Sequence, residues 1–209
     1  GNHEFAFDVK REGDWQGYLA GRKGFPKVGQ MIDFAAIRNA LTGCIYLEDS
    51  GVDIEGYRIY GTPYQAKYSN SAFQRDKFEL DTYWKLIPND TDILMTHSPP
   101  YDFCDEGKKG VLCGCPDLRK HVQQRIKPKY HVFGHIHEGA GWAKDANTKY
   151  INAAFCAPGY KPINEPFTFK LPARQAPWPA DVPLTIFSGK DELKPDKSID
   201  RRVSSQVGS

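Results

Sequence analysis

Two short apolar runs, each ending at histidine, constrain this chain more than any other feature. Tyr130 to Phe133 leads into Gly134-His135-Ile136-His137, and Ile93 to Met95 leads into Thr96-His97-Ser98-Pro99-Pro100. Apolar runs of this length, bounded by turn residues, read as buried strands of an α/β sheet. In open α/β sheets the loops beyond the strand ends carry the site. His135 and His137 stand two residues apart, so in an extended backbone both rings point the same way. Neutral imidazole is the commonest metal ligand, and two on one ridge form a claw. A buried pair satisfied by backbone is the bland alternative for an isolated His-x-His. Its company weighs against that, because the chain also opens with Gly1-Asn2-His3-Glu4.

The rest of the chain alternates helical and strand patterns. Residues 8–30 are polar and carry Gly13, Gly17, Gly21, Gly24 and Gly29, which reads as a surface excursion. Phe34, Ile37 and Leu41 place an amphipathic helix over Met31 to Leu41. Cys44 to Leu47, Val52 to Ile54 and Tyr57 to Tyr60 read as a meander with turns at Asp49-Ser50-Gly51 and Glu55-Gly56. Residues 61–75 follow as a loop opened by Gly61-Thr62-Pro63. Leu80, Trp84 and Ile87 mark a second helix stopped by Pro88. Asp92 to Thr96 is a strand, and Ser98 to Gly114 is a long loop of the kind that serves a site. Pro116 starts a helix through Leu118, Val122 and Ile126, ended by Pro128. After the Tyr130 to Phe133 strand, Gly141 to Lys144 and Lys149 to Ala153 form a hairpin around Asp145 to Thr148. Phe167 to Leu171 alternates and reads as a last strand. The expected organisation is one domain over 1–171 and a disordered tail over 172–209, where Pro, Ser and mixed charge dominate.

Composition narrows the partners. A net charge of +2 over 209 residues offers no basic stripe for nucleic acid or an anionic membrane. No apolar run is long enough to span a bilayer. Five cysteines without framework spacing fit a reducing, cytoplasmic compartment. Cys104, Cys113, Cys115 and His121 match no common zinc spacing. Glu4 and Glu138 read as solvated or as supports of the site rather than ligands. Lys108 and Lys109, with Tyr101 and Phe103, read either as a solvated loop or as a lid over a phosphate. Trp142 reads either as a pocket wall or as core. Oligomeric state has no signature.

Gly-Asn-His-Glu, a later histidine after an apolar strand, and Gly-His-x-His in that order resemble the calcineurin-like metallophosphoesterases. Ile93-Leu94-Met95-Thr96-His97, His131 to Gly139, Gly56 to Gly61 and Tyr150-Ile151-Asn152-Ala153 are similar to the eukaryotic metallophosphoesterase-domain-containing, class III cyclic-nucleotide-phosphodiesterase-like subgroup. The resemblance covers residues 1–171. It implies a sandwich of two mixed β-sheets flanked by helices and a two-metal centre. Asn2, His97 and His135 would bind one divalent ion (manganese, iron, zinc or magnesium), and His137 the other. His3 would contact the phosphate and protonate the leaving oxygen, a step suited to an imidazole near neutral pH. The implied reaction is phosphodiester hydrolysis by a metal-activated hydroxide, on a substrate such as a cyclic nucleotide.

The family pattern begins with Asp-x-His and Gly-Asp ahead of Gly-Asn-His-Glu, whereas this sequence opens on the third motif. The expectation is therefore an N-terminally truncated chain of impaired activity, binding at most one metal weakly. The alternative is an inactive remnant that acts as a binding protein.

Overall fold

The computed structural model describes residues 1–24 and 26–173, together with the backbone of Ile186–Ser188. The chain starts with two single-turn 3-10 segments and then forms α1 (Glu12–Leu19), which buries Trp15 and Leu19. This corrects the surface reading of residues 8–30. Gly13 and Gly17 have open space where a Cβ would sit, so the glycines line the solvent side while Trp15 and Leu19 reach the core. Next comes α2 (Phe34–Asn39), capped by Asp33, whose carboxylate accepts from the Ala36 N–H at 2.8 Å. It is shorter than Met31 to Leu41, because Phe34 is buried while Ile37 and Leu41 remain exposed.

Strands β1 (Ser50–Ile54) and β2 (Tyr57–Thr62) form a hairpin. Its turn residues Glu55 and Gly56 both have positive φ, 49° and 76°, as a tight right-twisting hairpin requires. Cys44 to Leu47 is not a strand, and Ser50 and Gly51 lie inside β1 rather than in a turn. Within the expected loop, β2 extends to Thr62, and β3 (Gln65–Ala66) pairs with β4 (Gln74–Arg75) in a two-stranded ribbon. Helix α3 (Lys77–Leu86) matches its periodicity, burying Leu80 and Trp84, with Ile87 buried at its end. Each such side chain contributes on the order of 2–3 kcal/mol by leaving water.

β5 (Ile93–Thr96), α4 (Pro116–His121) and β6 (Tyr130–Phe133) follow. α4 runs on as a π-helical turn through Ile126 and stops at left-handed Lys127. β7 (Gly141–Lys144) and β8 (Lys149–Asn152) are joined where Asp145 Oδ1 accepts from the N–H groups of Asn147 and Thr148, both at 2.8 Å. β9 (Cys156–Ala157) and β10 (Lys161–Pro162) make a second ribbon, and β11 (Ile186–Ser188) pairs with β1. No strand forms at Phe167 to Leu171; Phe169 instead stacks on Tyr130 at 4.3 Å. Apart from 172–173 and 186–188, the expected tail lies outside the described residues.

The fold is α/β, a mixed sheet flanked by helices. Its strands run β11-β1-β2-β5-β6-β8-β7, with β2, β5, β6 and β8 parallel. Tyr60, Leu94, His131 and Tyr150 are register partners across these four strands, so they share one face. All four are buried. Tyr60, Leu94 and Tyr150 belong to one apolar core with Trp15, Phe34, Trp84 and Leu118 of the helices. Because β5 and β6 are parallel neighbours, their C-terminal ends open side by side, which places the two histidine loops together.

Candidate metal centre

Three distant segments meet at one point. His97 Nε2 lies 2.9 Å from Asn2 Oδ1 and 3.1 Å from His135 Nδ1. The two histidine loops are also joined through the main chain, where Gly134 N–H donates to the His97 carbonyl at 3.0 Å. Gly1 packs so closely on the His97 ring that a Cβ there would collide with it, which accounts for glycine ahead of Asn2. Gly134 is different: a Cβ would make only ordinary contact, at 3.9 Å from Ala154. The backbone demand at this turn falls on His135, whose φ of 69° is left-handed. Histidine tolerates that region better than most residues, and such positions cluster at functional sites.

The opening segment is held by a buried ion pair. Arg75 Nη2 donates to Asp8 Oδ1 at 2.9 Å, and Phe73 N–H donates to Asp8 Oδ2 at 2.8 Å. Both charged side chains are almost fully buried. Closer to the site, Ala72 N–H donates to the Asn2 carbonyl at 3.1 Å, and Asn2 Nδ2 donates to the Tyr68 hydroxyl at 3.1 Å. Asn2 is thereby fixed at both backbone and side chain, with its side-chain oxygen Oδ1 left to face His97. Neither Tyr68 nor Asp8 carries a sequence motif that marks it; only its contacts do.

The histidines sit in a site of unbalanced polarity. Burial pushes His97 down to about 2, helped by the positive amino group of Gly1 and by His135 and His3. Burial also lowers His135 to about 4, with His137 and His3 adding to it. Both imidazoles are therefore neutral at pH 7, the form in which imidazole binds a metal. His3 is exposed, and its ring meets Tyr160 edge-on with centroids 6.2 Å apart. His137 meets the same Tyr160 at 5.2 Å and 90°. The charge effects of His3 and His137 on His135 place all of these groups in one neighbourhood.

Ligands on adjacent corners of an octahedron of ~2.1 Å radius are about 3 Å apart, and the spacings around His97 agree. One amide oxygen and two neutral imidazole nitrogens thus suit one divalent ion. The fit for a second ion rests on His137 alone among the described residues. Among the described residues, no group of three or more His, Cys, Asp or Glu side chains is arranged to hold a metal. Glu4 pairs with the Gly1 amino group, and Glu138 is exposed. The cysteines are free thiols, and His121 is engaged with Asp81 at 3.0 Å, so the zinc spacing has no structural counterpart.

The loop over Ser98 to Gly114 is fixed at its base. Phe103 stacks on Tyr150 at 3.8 Å, and Asn152 Nδ2 donates to the Cys104 carbonyl at 2.9 Å. Phe103 therefore belongs to the packed base and not to a lid, while Lys108 and Lys109 are exposed. Trp142 is exposed under Lys149, whose Nζ lies 4.7 Å from the ring centroid, so it is not part of the core.

Comparison with known proteins agrees with the geometry. Residues 1–139 match the calcineurin-like phosphoesterase family. Human metallophosphoesterase domain-containing protein 1 is 41% identical over 178 residues, covering 82% of this chain and 53% of that protein. The UPF0046 protein T07D4.2 of Caenorhabditis elegans is 39% identical over 184 residues, covering 82% of this chain and 45% of its own length. This chain thus spans about half the length of the curated relatives it matches. A match over residues 1–139, joined to the meeting of Asn2, His97 and His135, assigns the chain to the calcineurin-like phosphoesterase family.

Proposed function

We propose that the domain of residues 1–171 hydrolyses phosphodiesters in a metal-dependent reaction. The observation that carries this reading is the convergence of Asn2 Oδ1 and His135 Nδ1 on His97 Nε2. Asn2, His97 and His135 would hold one divalent ion, with manganese as the first candidate, and His137 would contribute to a second. Such ions, when bound, acidify water and neutralise charge on the phosphate. His3, which is exposed, would give a proton to the leaving oxygen. The neutral rings of His97 and His135 keep their lone pairs for ligation, and the Asp8–Arg75 pair holds Asn2 and His3 in position. A cyclic nucleotide is the substrate proposed by family likeness. A cytoplasmic location is proposed with it; the five cysteines are free thiols, and among the described residues no helix is long and apolar enough to cross a membrane.

The test is turnover of bis-p-nitrophenyl phosphate with added manganese, with His135→Ala as control. Manganese-dependent turnover that disappears in His135→Ala supports the hydrolase. Folded protein without turnover overturns the reading for this chain.

A second reading is favoured by one observation, the neutrality of the three gathered donors. A site without an anionic ligand holds two dications poorly, which fits a protein that binds a single metal and catalyses nothing. Metal titration separates the two: two equivalents of manganese support the hydrolase, and one equivalent without turnover supports the binding protein.

A further inference from the structure

Two large aromatic side chains stand exposed against the histidine cluster, each beside a different pair of its residues. Tyr68 is 61% exposed; its ring lies 5.5 Å from that of His135, and its hydroxyl accepts from Asn2. Tyr160 is 69% exposed and meets both His3 and His137 edge-on. An aromatic ring left mostly in water beside a polar cluster offers surface on which another flat ring can stack. Tyr160 closes the turn between β9 and β10 with a φ of 61°, directly after Gly159 at 81°. A bulky aromatic residue is a costly occupant of the left-handed region, and glycine or asparagine would serve the turn better. The fold nonetheless holds a tyrosine there, over His3 and His137.

We infer that Tyr160, with Tyr68 as a second exposed ring beside the same cluster, sets the substrate class by gripping a flat, ring-bearing organic arm of the phosphoester. This rests on the phosphodiesterase reading and adds to it a residue that selects among esters. Any planar arm, a nucleobase or an aryl group, would be favoured over a small alkyl group, because the contact is made by ring faces rather than by hydrogen bonds to particular atoms. The Tyr160 hydroxyl is not required for this.

The experiment measures binding of phenylphosphonate and methylphosphonate, neither of which is hydrolysed, by calorimetry with manganese present. Native protein is expected to bind phenylphosphonate about five- to tenfold more tightly than methylphosphonate, as stacking contacts of this kind allow. Tyr160→Phe keeps that preference. Tyr160→Asn, which suits the left-handed turn and so preserves the hairpin, loses it while methylphosphonate affinity stays the same. Equal binding of the two phosphonates, or a preference that survives Tyr160→Asn, overturns the inference and leaves the hydrolase proposal standing. Failure of both phosphonates to bind overturns the phosphate site itself, and this inference with it.

Discussion

The side-chain amide of Asn152 donates at 2.8 Å to the carbonyl of Ile136, the residue that separates His135 from His137. The same nitrogen donates to the Cys104 carbonyl, and Asn152 Oδ1 accepts from Ala154 N–H at 3.1 Å. One fully buried amide at the end of β8 thus ties the histidine turn to the base of the Ser98 to Gly114 loop. Gly139 completes the join: a Cβ there would collide with the Cys104 carbonyl.

Removing that amide should loosen both loops together. Asn152→Ala takes the amide donor from the Cys104 carbonyl, leaves the Ile136 carbonyl to Gly139 N–H alone, and strips Ala154 N–H of its acceptor, and each such loss costs about 1–3 kcal/mol. A total near ~3 kcal/mol is expected in urea unfolding, with an unchanged m-value. Manganese affinity should fall as well, since the His135 turn is no longer held. An unfolding midpoint equal to that of the native protein would refute the stapling role.

The Asp8–Arg75 pair should matter to the site and not only to the fold. Arg75→Met strands the Asp8 carboxylate, buried with Phe73 N–H as its remaining donor at 2.8 Å, for a cost of about 3–5 kcal/mol. Adding Asp8→Asn should recover part of that cost, because no buried charge is left unpaired. A double-mutant cycle measures the recovery. Calorimetry on Asp8→Asn alone should show weaker manganese binding, since Asn2 and His3 lose their anchor. Additive single-variant effects would contradict the coupling.

The parts of this structure that were legible in the sequence are those where period and burial coincide. Leu80, Trp84 and Ile87 recur at helical spacing and all face the core, so α3 was readable nearly to the residue. β5 and β6 were readable because each apolar run stops at a histidine. α1 was hidden because two glycines mask a helix whose buried contribution is only Trp15 and Leu19. Cys44 to Leu47 and Phe167 to Leu171 look like strands, but the apolar groups there find side-chain partners instead of a sheet edge, as Phe169 does on Tyr130.

At the site, motif order marked Asn2, His3, His97, His135 and His137, and the fold brings the first, third and fourth of these into direct contact. Their supports were not legible. Tyr68 and Tyr160 lie in polar loops with no period to mark them, and Asp8 meets Arg75 only across 67 residues. Asn152 left a faint signal as a polar residue closing a buried strand.

Asp49 should destabilise the fold above mildly acidic pH. Burial, with Glu48 nearby, raises its carboxyl from 3.8 to about 6, although Thr62 Oγ1 donates to it at 2.7 Å and opposes the shift. A carboxyl raised on folding gives stability that is full below pH ~3.8 and lost as pH rises through about 6. Two pK units correspond to ~3 kcal/mol at most, and partial exposure lowers this to about 1–2 kcal/mol. Asp49→Asn keeps the acceptor for Thr62 and suits the positive φ of 45°. The variant should be the more stable protein at pH 7 and equal to native near pH 4. Parallel stability curves for the two proteins from pH 4 to 7 would be evidence against this.

His131 should make the sheet acid-sensitive in the opposite sense. It is fully buried, in the strand that delivers His135, and its Nε2 lies 2.9 Å from Thr96 Oγ1. Thr96 spends its own proton on the Ser98 carbonyl at 2.8 Å, so His131 must donate from Nε2. Its Nδ1 is then a bare acceptor with no hydrogen-bond partner among the described residues. A second proton would put an unpaired cation in the core, and burial accordingly lowers the group from 6.5 to about 3. The unfolded chain takes up that proton first, so stability is complete above pH ~6.5 and falls by several kcal/mol as pH drops toward about 3. His131→Leu cannot bind the proton and should flatten this part of the pH dependence. It also lowers stability at pH 7, because the hydrogen bond to Thr96 is lost. The measurement is urea unfolding of both proteins between pH 4 and 7, and a stability difference that stays constant over that range would show that His131 is not the group responsible.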